Sequence, residues 1–380
     1  MRVSVRPALL RWARERSGLP SSAIARRFPR LQAWERGDAE PTLKQLEDFA
    51  RATHAPFGYL LLTEPPVETI PIPDFRTVGS SGIGHPSPDL LDTTYICEQR
   101  QEWYSNYQRI TGEDPLPFVG SLTRDDDVVT SAAIMRDALR FDIEHRSALP
   151  TWDEALREFV AQADALGILV MCSGIVGSNT HRKLDPQEFR GFAMVDGRAP
   201  LVFINGADSR SAQMFTLAHE LAHVWLGQSA LSDVEARTVP TNAVERWCNR
   251  VAAELLVPLI LVREEFRPTV SLSDEVPRLA RRFKVSTLVV LRRIHDAGGI
   301  DRDKFRRFYE AELERLSARP AGSGGDFYRT LPARVSKRFA RALLSSTLEG
   351  RTLYREAMQL MGFSKMKTFD ELARSLGVMA

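Results

Sequence analysis

The run Ser211–Gly227, SAQMFTLAHELAHVWLG, constrains this chain more than any other stretch of its 380 residues. Within it His219-Glu220-Leu221-Ala222-His223 sets two imidazoles four residues apart. On a helix four residues are roughly 400° of rotation, so both rings leave the same face from adjacent turns. That arrangement suits one Zn²⁺ in tetrahedral coordination, with Zn–N bonds of about 2.0–2.1 Å. Glu220 lies between the rings. A carboxylate there can accept the proton of a water that the ion acidifies towards a pKa of about 7, as a catalytic base does in hydrolysis. The flanking Phe215, Leu217, Leu221, Val224, Trp225 and Leu226 predict a buried helix that keeps bulk water away. The bland alternative is a buried amphipathic helix whose histidines make ordinary hydrogen bonds. A strand pair before the motif and an acidic helix after it favour the metal reading.

A zinc site needs a third protein ligand and an open position. Three glutamates follow. Glu235 falls in a predicted loop, LSDVEARTVP, whereas Glu245 and Glu254 share a predicted helix over Asn242–Val257. Nine residues separate these two, about 180° around the helix, so they cannot both face one ion. Glu245 has Asn249 one turn on along its own face, placed to orient a ligating histidine. Glu254 stands among Ala252, Ala253, Leu255 and Leu256, where a partner would be structural. Glu245 is therefore the expected ligand.

Around this centre the chain reads as α+β and mostly helical. Leu156–Leu166 is helical and Gly167 stops it before the apolar strand Ile168–Met171. Gly191–Val195 and Pro200–Ile204, parted by Asp196-Gly197, read as a hairpin, with Arg198-Ala199 lengthening its loop. The segment Thr63–Asp74 holds Pro65, Pro66, Pro71 and Pro73 and reads as an extended linker; Ala321–Gly325 is a glycine-rich one. The resulting division is a helical N-terminal domain over 1–62, a linker over 63–87, a helical connector over 88–150, the metal-bearing domain with its small sheet over 151–299, and a basic helical extension over 300–380.

A hydrophobic content of 43% with 26% charged residues excludes a largely disordered chain. The N-terminal stretch is interrupted by arginines and does not resemble a signal peptide, and no apolar run reaches membrane-spanning length, so no membrane partner is expected. Cys97, Cys172 and Cys248 are widely spaced and form no CxxC, which fits free thiols in a reducing cytoplasm. The net charge of +2 is uneven: residues 1–53 carry 11 Lys/Arg against 6 Asp/Glu, and residues 301–380 carry 16 against 10. Basic ends suit nucleic-acid or acidic-protein partners, although solvated helix faces explain them as simply.

The paired segments FTLAHELAHVWL and ERWCNRVAAELLVP resemble the ImmA/IrrE family of bacterial metallopeptidase domains over about 165–295. The resemblance implies a gluzincin-like zinc site in which His219, His223 and Glu245 bind the metal and Glu220 is the base. Cys248 stands where alanine is usual and Val251 where an aromatic is common; both bear on packing. By the same resemblance Pro200–Asn205 is expected as the edge strand that takes an extended substrate. His181 and Arg182, in the polar loop SNTHRKLD, are candidates for stabilising an oxyanion, and a plain exposed loop is their simpler reading.

Residues 21–53 resemble an Xre-type helix-turn-helix, carried by the WERG tetrad Trp34–Gly37, Pro41-Thr42 and the following Leu43/Leu46/Phe49 helix. Its first half is about four residues short. Arg26, Arg27, Arg30 and Gln32 on so short an element favour phosphate contact over base reading. A second helix-turn-helix echo at Leu279–Ile294 is expected to pack on the metal-bearing domain. In the C-terminal extension, Phe339, Leu343 and Leu344 form an apolar stripe beside Arg334, Lys337, Arg338 and Arg341, suited to a partner. Two functions are compatible with all this. One is a cytoplasmic zinc endopeptidase acting on a DNA-binding repressor. The other is a transcriptional regulator or antitoxin-type binding protein that keeps the zinc fold as scaffold. Expected partners are a protein substrate or toxin-related protein, DNA through the N-terminal domain, and a second copy of the chain.

Overall fold

A computed structural model of the chain describes residues 1–74, 86–232, 242–317 and 327–379. Glu235, the Ala321–Gly325 stretch and most of the second half of the 63–87 linker lie outside the described residues. Two compact units are present: Met1–Pro71 with Ser80–Tyr95, and Ile72–Gly79 with Ile96–Ala380.

The first unit is helical. Helices α1 (Pro7–Arg16), α2 (Ser21–Arg27), α3 (Leu31–Arg36) and α4 (Leu43–Thr53) are followed by a 3₁₀ turn at Phe57–Leu61. Thr42 caps α4 in a capping box with Gln45, and Gly37, at φ 82°, ends α3 in the left-handed conformation. Leu10, Ile24, Phe28, Leu31, Trp34, Leu46 and Phe49 form its core. The proline-rich segment, expected as an extended linker, is bonded to the helices on either side of it. Arg16 donates to Glu68 at 2.8 Å, and the Tyr95 hydroxyl donates to the Thr69 carbonyl at 3.0 Å.

Helix α5 (Pro88–Ile110) begins in the first unit and runs into the second. There α6 (Val128–Leu139), α7 (Ile143–Ala148) and α8 (Trp152–Leu166) precede β1 (Leu169–Ser173), β2 (Gly191–Met194) and β3 (Leu201–Asn205). Next come α9 (Arg210–Leu226), β4 (Ala230–Ser232), α10 (Ala243–Leu256), α11 (Leu259–Glu265), α12 (Leu272–Phe283), α13 (Thr287–Asp296) and α14 (Arg302–Ser317). The chain closes with α15 (Phe327–Val335), α16 (Lys337–Leu348), α17 (Tyr354–Met361) and α18 (Met366–Ser375).

The four-stranded sheet has the order β1-β3-β2-β4, with β1 parallel to β3 and the other pairs antiparallel. The 196–197 turn forms as the sequence suggests, because the Asp196 carboxylate accepts from the Arg198 and Ala199 amides, each at 2.8 Å. The expectation of an edge strand at Pro200–Asn205 is overturned. β3 lies between β1 and β2 and is buried along its whole length. The edge beyond β2 belongs to β4, a short strand that follows the motif helix and that periodicity does not reveal.

One hydrophobic core joins α6, α8, α9, α10, α12 and α13, and it takes in Ile300 and Tyr309. Packing therefore ignores two of the expected boundaries. α6 buries Ala132, Met135 and Leu139 in this core, and α14 packs on α13, so neither the connector nor the start of the extension stands apart. α12 and α13 pack into the same core through Leu279, Phe283, Leu291 and Ile294. The C-terminal stripe is turned inwards: Phe339, Leu343 and Leu344 are fully buried and offer nothing to a partner. Arg338 is spent holding α8, donating to the Asp164 carbonyl at 2.7 Å.

Candidate metal centre

Helix α9 is fixed at both ends. Ser209 caps its start, accepting from the Ala212 amide at 3.3 Å, and Gly227, at φ 70°, ends it. Its last turn is held from outside as well, because the Gly120 and Leu122 amides donate to the Val224 and Trp225 carbonyls at 3.1 and 3.0 Å. A Cβ on Gly227 would lie 2.9 Å from Gly120 Cα, so only glycine permits this approach. Both faces of α9 are buried, with Leu217, Leu221, Val224 and Trp225 in the core. Helix α10, capped by Asn242, packs along it.

This packing brings three groups together. His219 Nε2 lies 3.1 Å from His223 Nε2 and 3.2 Å from Glu245 Oε2, and His223 Nε2 lies 3.1 Å from Glu245 Oε1. Among the described residues these three are the cluster able to hold a metal ion. A tetrahedral ion with bonds of about 2.0–2.1 Å places its ligand atoms roughly 3.3 Å apart, so the observed spacings are close to the edges of such a tetrahedron. The donor set fits zinc: two borderline imidazoles and one carboxylate. His219 Nδ1 is 3.0 Å from Asn249 Oδ1. An amide oxygen can only accept, so Nδ1 carries the proton and Nε2 turns its lone pair inwards.

All three groups are buried, and so is Glu220. Burial opposes charge on each. On His219 burial is the largest single influence, but Glu245, Glu220 and the Asn249 hydrogen bond together outweigh it and lift the pKa above its ordinary value; on His223 burial prevails and lowers it. Burial also works against ionised Glu245, but the two imidazoles overcome it and hold its pKa below the usual carboxylate range. Glu245 is thus ionised, the form in which a carboxylate binds metal. Cys248, one turn from Glu245, has its thiol pKa pushed well up by burial and by the nearby Glu245 and Glu220.

Glu254 looks the other way. It pairs with Arg293, a buried guanidinium that also donates to the Val257 carbonyl at 2.8 Å. This pair ties α10 to α13. One residue that sequence reasoning passes over is Gly191, the first of β2. A Cβ there would lie 2.5 Å from Thr216 Cγ2, 2.8 Å from the Phe203 carbonyl oxygen and 3.3 Å from Glu220 Cγ. A glycine opening a strand is the available signal, since such positions often mark close approach.

His181 sits exposed in a turn, its amide bonded to Asn179 Oδ1 at 3.0 Å, and neither it nor Arg182 is among the groups acting on the histidine pair or on Glu245. Arg26 and Arg27 on α2, Arg30 in the turn and Gln32 on α3 are all exposed.

Residues 163–295 match the family described as the IrrE N-terminal-like domain, a peptidase family whose members are metal-dependent. That match spans about a third of the chain and, together with the buried His-His-Glu group, implies a metallopeptidase-like domain within a longer helical chain. Residues 335–375 match a domain of unknown function, which covers α16 to α18. No curated protein matches the chain. Among the described residues no helix is long and apolar enough to cross a membrane.

Proposed function

We propose that this chain is a zinc-dependent endopeptidase of the ImmA/IrrE type, with His219, His223 and Glu245 as zinc ligands and Glu220 as the base. The observation that carries the reading is the convergence of three side chains: the two imidazole Nε2 atoms from one helix lie 3.1 Å apart, and each lies 3.1–3.2 Å from an oxygen of the Glu245 carboxylate on the next helix. Zinc bound there would act as a Lewis acid towards a water and the scissile carbonyl. The protein's own part is to hold and to move protons. Asn249 fixes the His219 tautomer, so the ring keeps its lone pair towards the ion. Glu220, adjacent in sequence to His219, accepts the proton of the attacking water and passes it to the leaving amine. Burial of the site keeps competing water away from these steps.

The proposed substrate is a regulatory DNA-binding protein of the cytoplasm. The N-terminal unit supports a link to DNA: α2 and α3 are joined by a three-residue turn, as in an Xre-type helix-turn-helix, and Arg26, Arg27, Arg30 and Gln32 are exposed on that surface. Helix α3 spans only six residues, about 9 Å, too short to lie along a major groove, so these side chains suit phosphates better than bases. The same exposed surface favours the second reading, a transcriptional regulator or antitoxin-type protein that keeps the zinc fold as scaffold. One comparison separates the two. Purified protein should carry about one zinc per chain. Cells expressing wild type should contain one shortened protein that is intact in cells expressing Glu220→Gln. If the two proteomes and phenotypes coincide while zinc is retained, the regulator reading replaces the endopeptidase.

A further inference from the structure

Two basic side chains are buried together where α12 gives way to α13, and no acid matches them. Arg146 on α7 is 4% exposed, and Lys284, which ends α12, is 7% exposed. Arg146 donates to the Leu256 and Lys284 carbonyls at 3.5 and 3.1 Å, and its guanidinium carbon lies 5.0 Å from the centre of the Phe141 ring. Its Nε has no partner among the described residues. The Lys284 ammonium lies over the Trp152 ring, 5.4 Å from its centre, and makes no hydrogen bond or ion pair among the described residues. Trp152 Nε1 is likewise buried without a partner. No described carboxylate acts on either cation. Burial lowers the pKa of both, that of Arg146 to about 9, and Arg146 lowers Lys284 further. Lys284 also holds a φ of 51°, a helix-end conformation that usually falls to glycine, so lysine here brings strain as well as a buried charge.

Trp152 is also a wall of a groove of about 820 Å³ lined by α12, α14 and the start of α13. Val276, Ala280 and Phe308 are apolar parts of that lining. Ser286 and Thr287, the cap and the first residue of α13, bring to it the positive end of a helix. Arg281 lines it too, exposed and without an ion-pair partner among the described residues. The other charges there are matched, Arg210 by Asp153, and Glu312 by Arg315 and the Thr287 hydroxyl. We propose that this groove binds a small organic phosphate, its phosphoryl group at Lys284, Trp152 Nε1 and the start of α13, and its apolar part along Val276, Ala280 and Phe308. A phosphate monoester carries a charge of about −1.5 to −2 at neutral pH, which balances Lys284 and Arg146 together, where a carboxylate balances only one of them. The unpartnered groups are all donors, and phosphoryl oxygens accept. Two like charges buried without a counter-ion cost free energy that an anion beside them recovers. The volume lies within the roughly 300–1,000 Å³ of small-molecule sites. Arg210, where α9 meets the groove, is about 13.5 Å along that helix from His219, so the site is separate from the metal centre and does not depend on its chemistry.

The test titrates phenyl phosphate and inorganic phosphate into the full-length chain by calorimetry. Phenyl phosphate should bind about tenfold more tightly than inorganic phosphate, because its ring is buried in the groove. Phe308→Ala should remove most of that advantage and leave inorganic phosphate as it was. Lys284→Met keeps the length of the side chain and removes its charge. It should weaken both probes by about tenfold or more, the usual worth of a hydrogen bond to a charged group. In phosphate-free buffer its melting temperature should equal or exceed that of wild type, since an unmatched buried charge has gone. A lysine with a purely structural role predicts a lower melting temperature and unchanged binding, and that pair of results overturns the proposal. Lys284→Arg should restore much of the binding that Lys284→Met loses. Should Lys284→Met fail to fold, the exposed Arg281→Ala carries the same test and should weaken both probes several-fold. Failure of wild type to bind either probe at millimolar concentration also overturns the proposal. So does binding that neither Lys284→Met nor Arg281→Ala changes, which assigns the phosphate to the metal centre. Equal affinity for the two probes, unmoved by Phe308→Ala, rules out the organic ligand.

Discussion

Helix pair α9/α10 and helix pair α2/α3 both carry side chains suited to chemistry, and they put them in opposite environments. His219, Glu220, His223 and Glu245 are buried against one another between two capped helices. Arg26, Arg27, Arg30 and Gln32 stand exposed on short helices whose apolar residues do the packing. Burying two imidazoles and two carboxylates in one place costs free energy unless they satisfy one another or a cation, so that cluster needs a reason. Exposed arginines need none, because surfaces are where charge belongs. Burial is what makes the first pair informative and the second permissive.

The strongest way to break this contrast is to exchange the two glutamates of α10. Glu245→Ala should reduce bound zinc from about one per chain to near zero and remove hydrolysis, as read by metal analysis and a cleavage assay. Glu254→Ala should leave the zinc in place. It strands Arg293 in the core and should cost about 3–5 kcal/mol of stability in chemical denaturation. Zinc loss from Glu254→Ala together with retention by Glu245→Ala would reverse the ligand assignment. Next in size, Glu220→Gln should keep its zinc while hydrolysis falls by about 10²–10⁴-fold, the usual worth of a positioned base. Asn249→Ala should weaken zinc affinity by about 10–100-fold in chelator competition, since the His219 ring then loses its orienting partner. Gly191→Ala forces a methyl group into Thr216 and the Phe203 carbonyl and should cost about 1–3 kcal/mol, with Glu220 displaced and turnover lowered further than stability explains. The smallest effect belongs to the exposed pair. Arg26→Ala with Arg30→Ala should change stability by less than about 0.5 kcal/mol. If the N-terminal unit meets DNA through phosphates, the same double variant flattens the salt dependence of binding, by about one unit of slope for each phosphate that an arginine had neutralised.

Local rules made much of the second unit legible. The stops at Gly167 and Gly227, the caps at Ser209 and Asn242, and the turn at Asp196 stand where their chemistry requires. The rotation of Glu245 and Glu254 onto opposite faces follows from helix geometry, and one meets the histidines while the other meets Arg293. Pairing between distant segments was not legible in the same way. β4 is too short to show a period, and nothing in the run Leu201–Asn205 tells an interior strand from an outer one. The stripe Phe339–Leu344 has the periodicity of a docking face and also of a buried one.

What the sequence determined by itself was a helix with two histidines on one face, a second helix with a carboxylate to offer, and the punctuation between them. Those follow from bonds and rotations among residues a few positions apart. Which strand ends the sheet, that α6 and α14 belong to the core, and that Pro73 and Asp74 lie on β4 were decided only by tertiary structure. The reason is physical. An amphipathic face specifies that it must be covered but carries no address for its cover, and that choice is made by the whole set of faces competing for the same core.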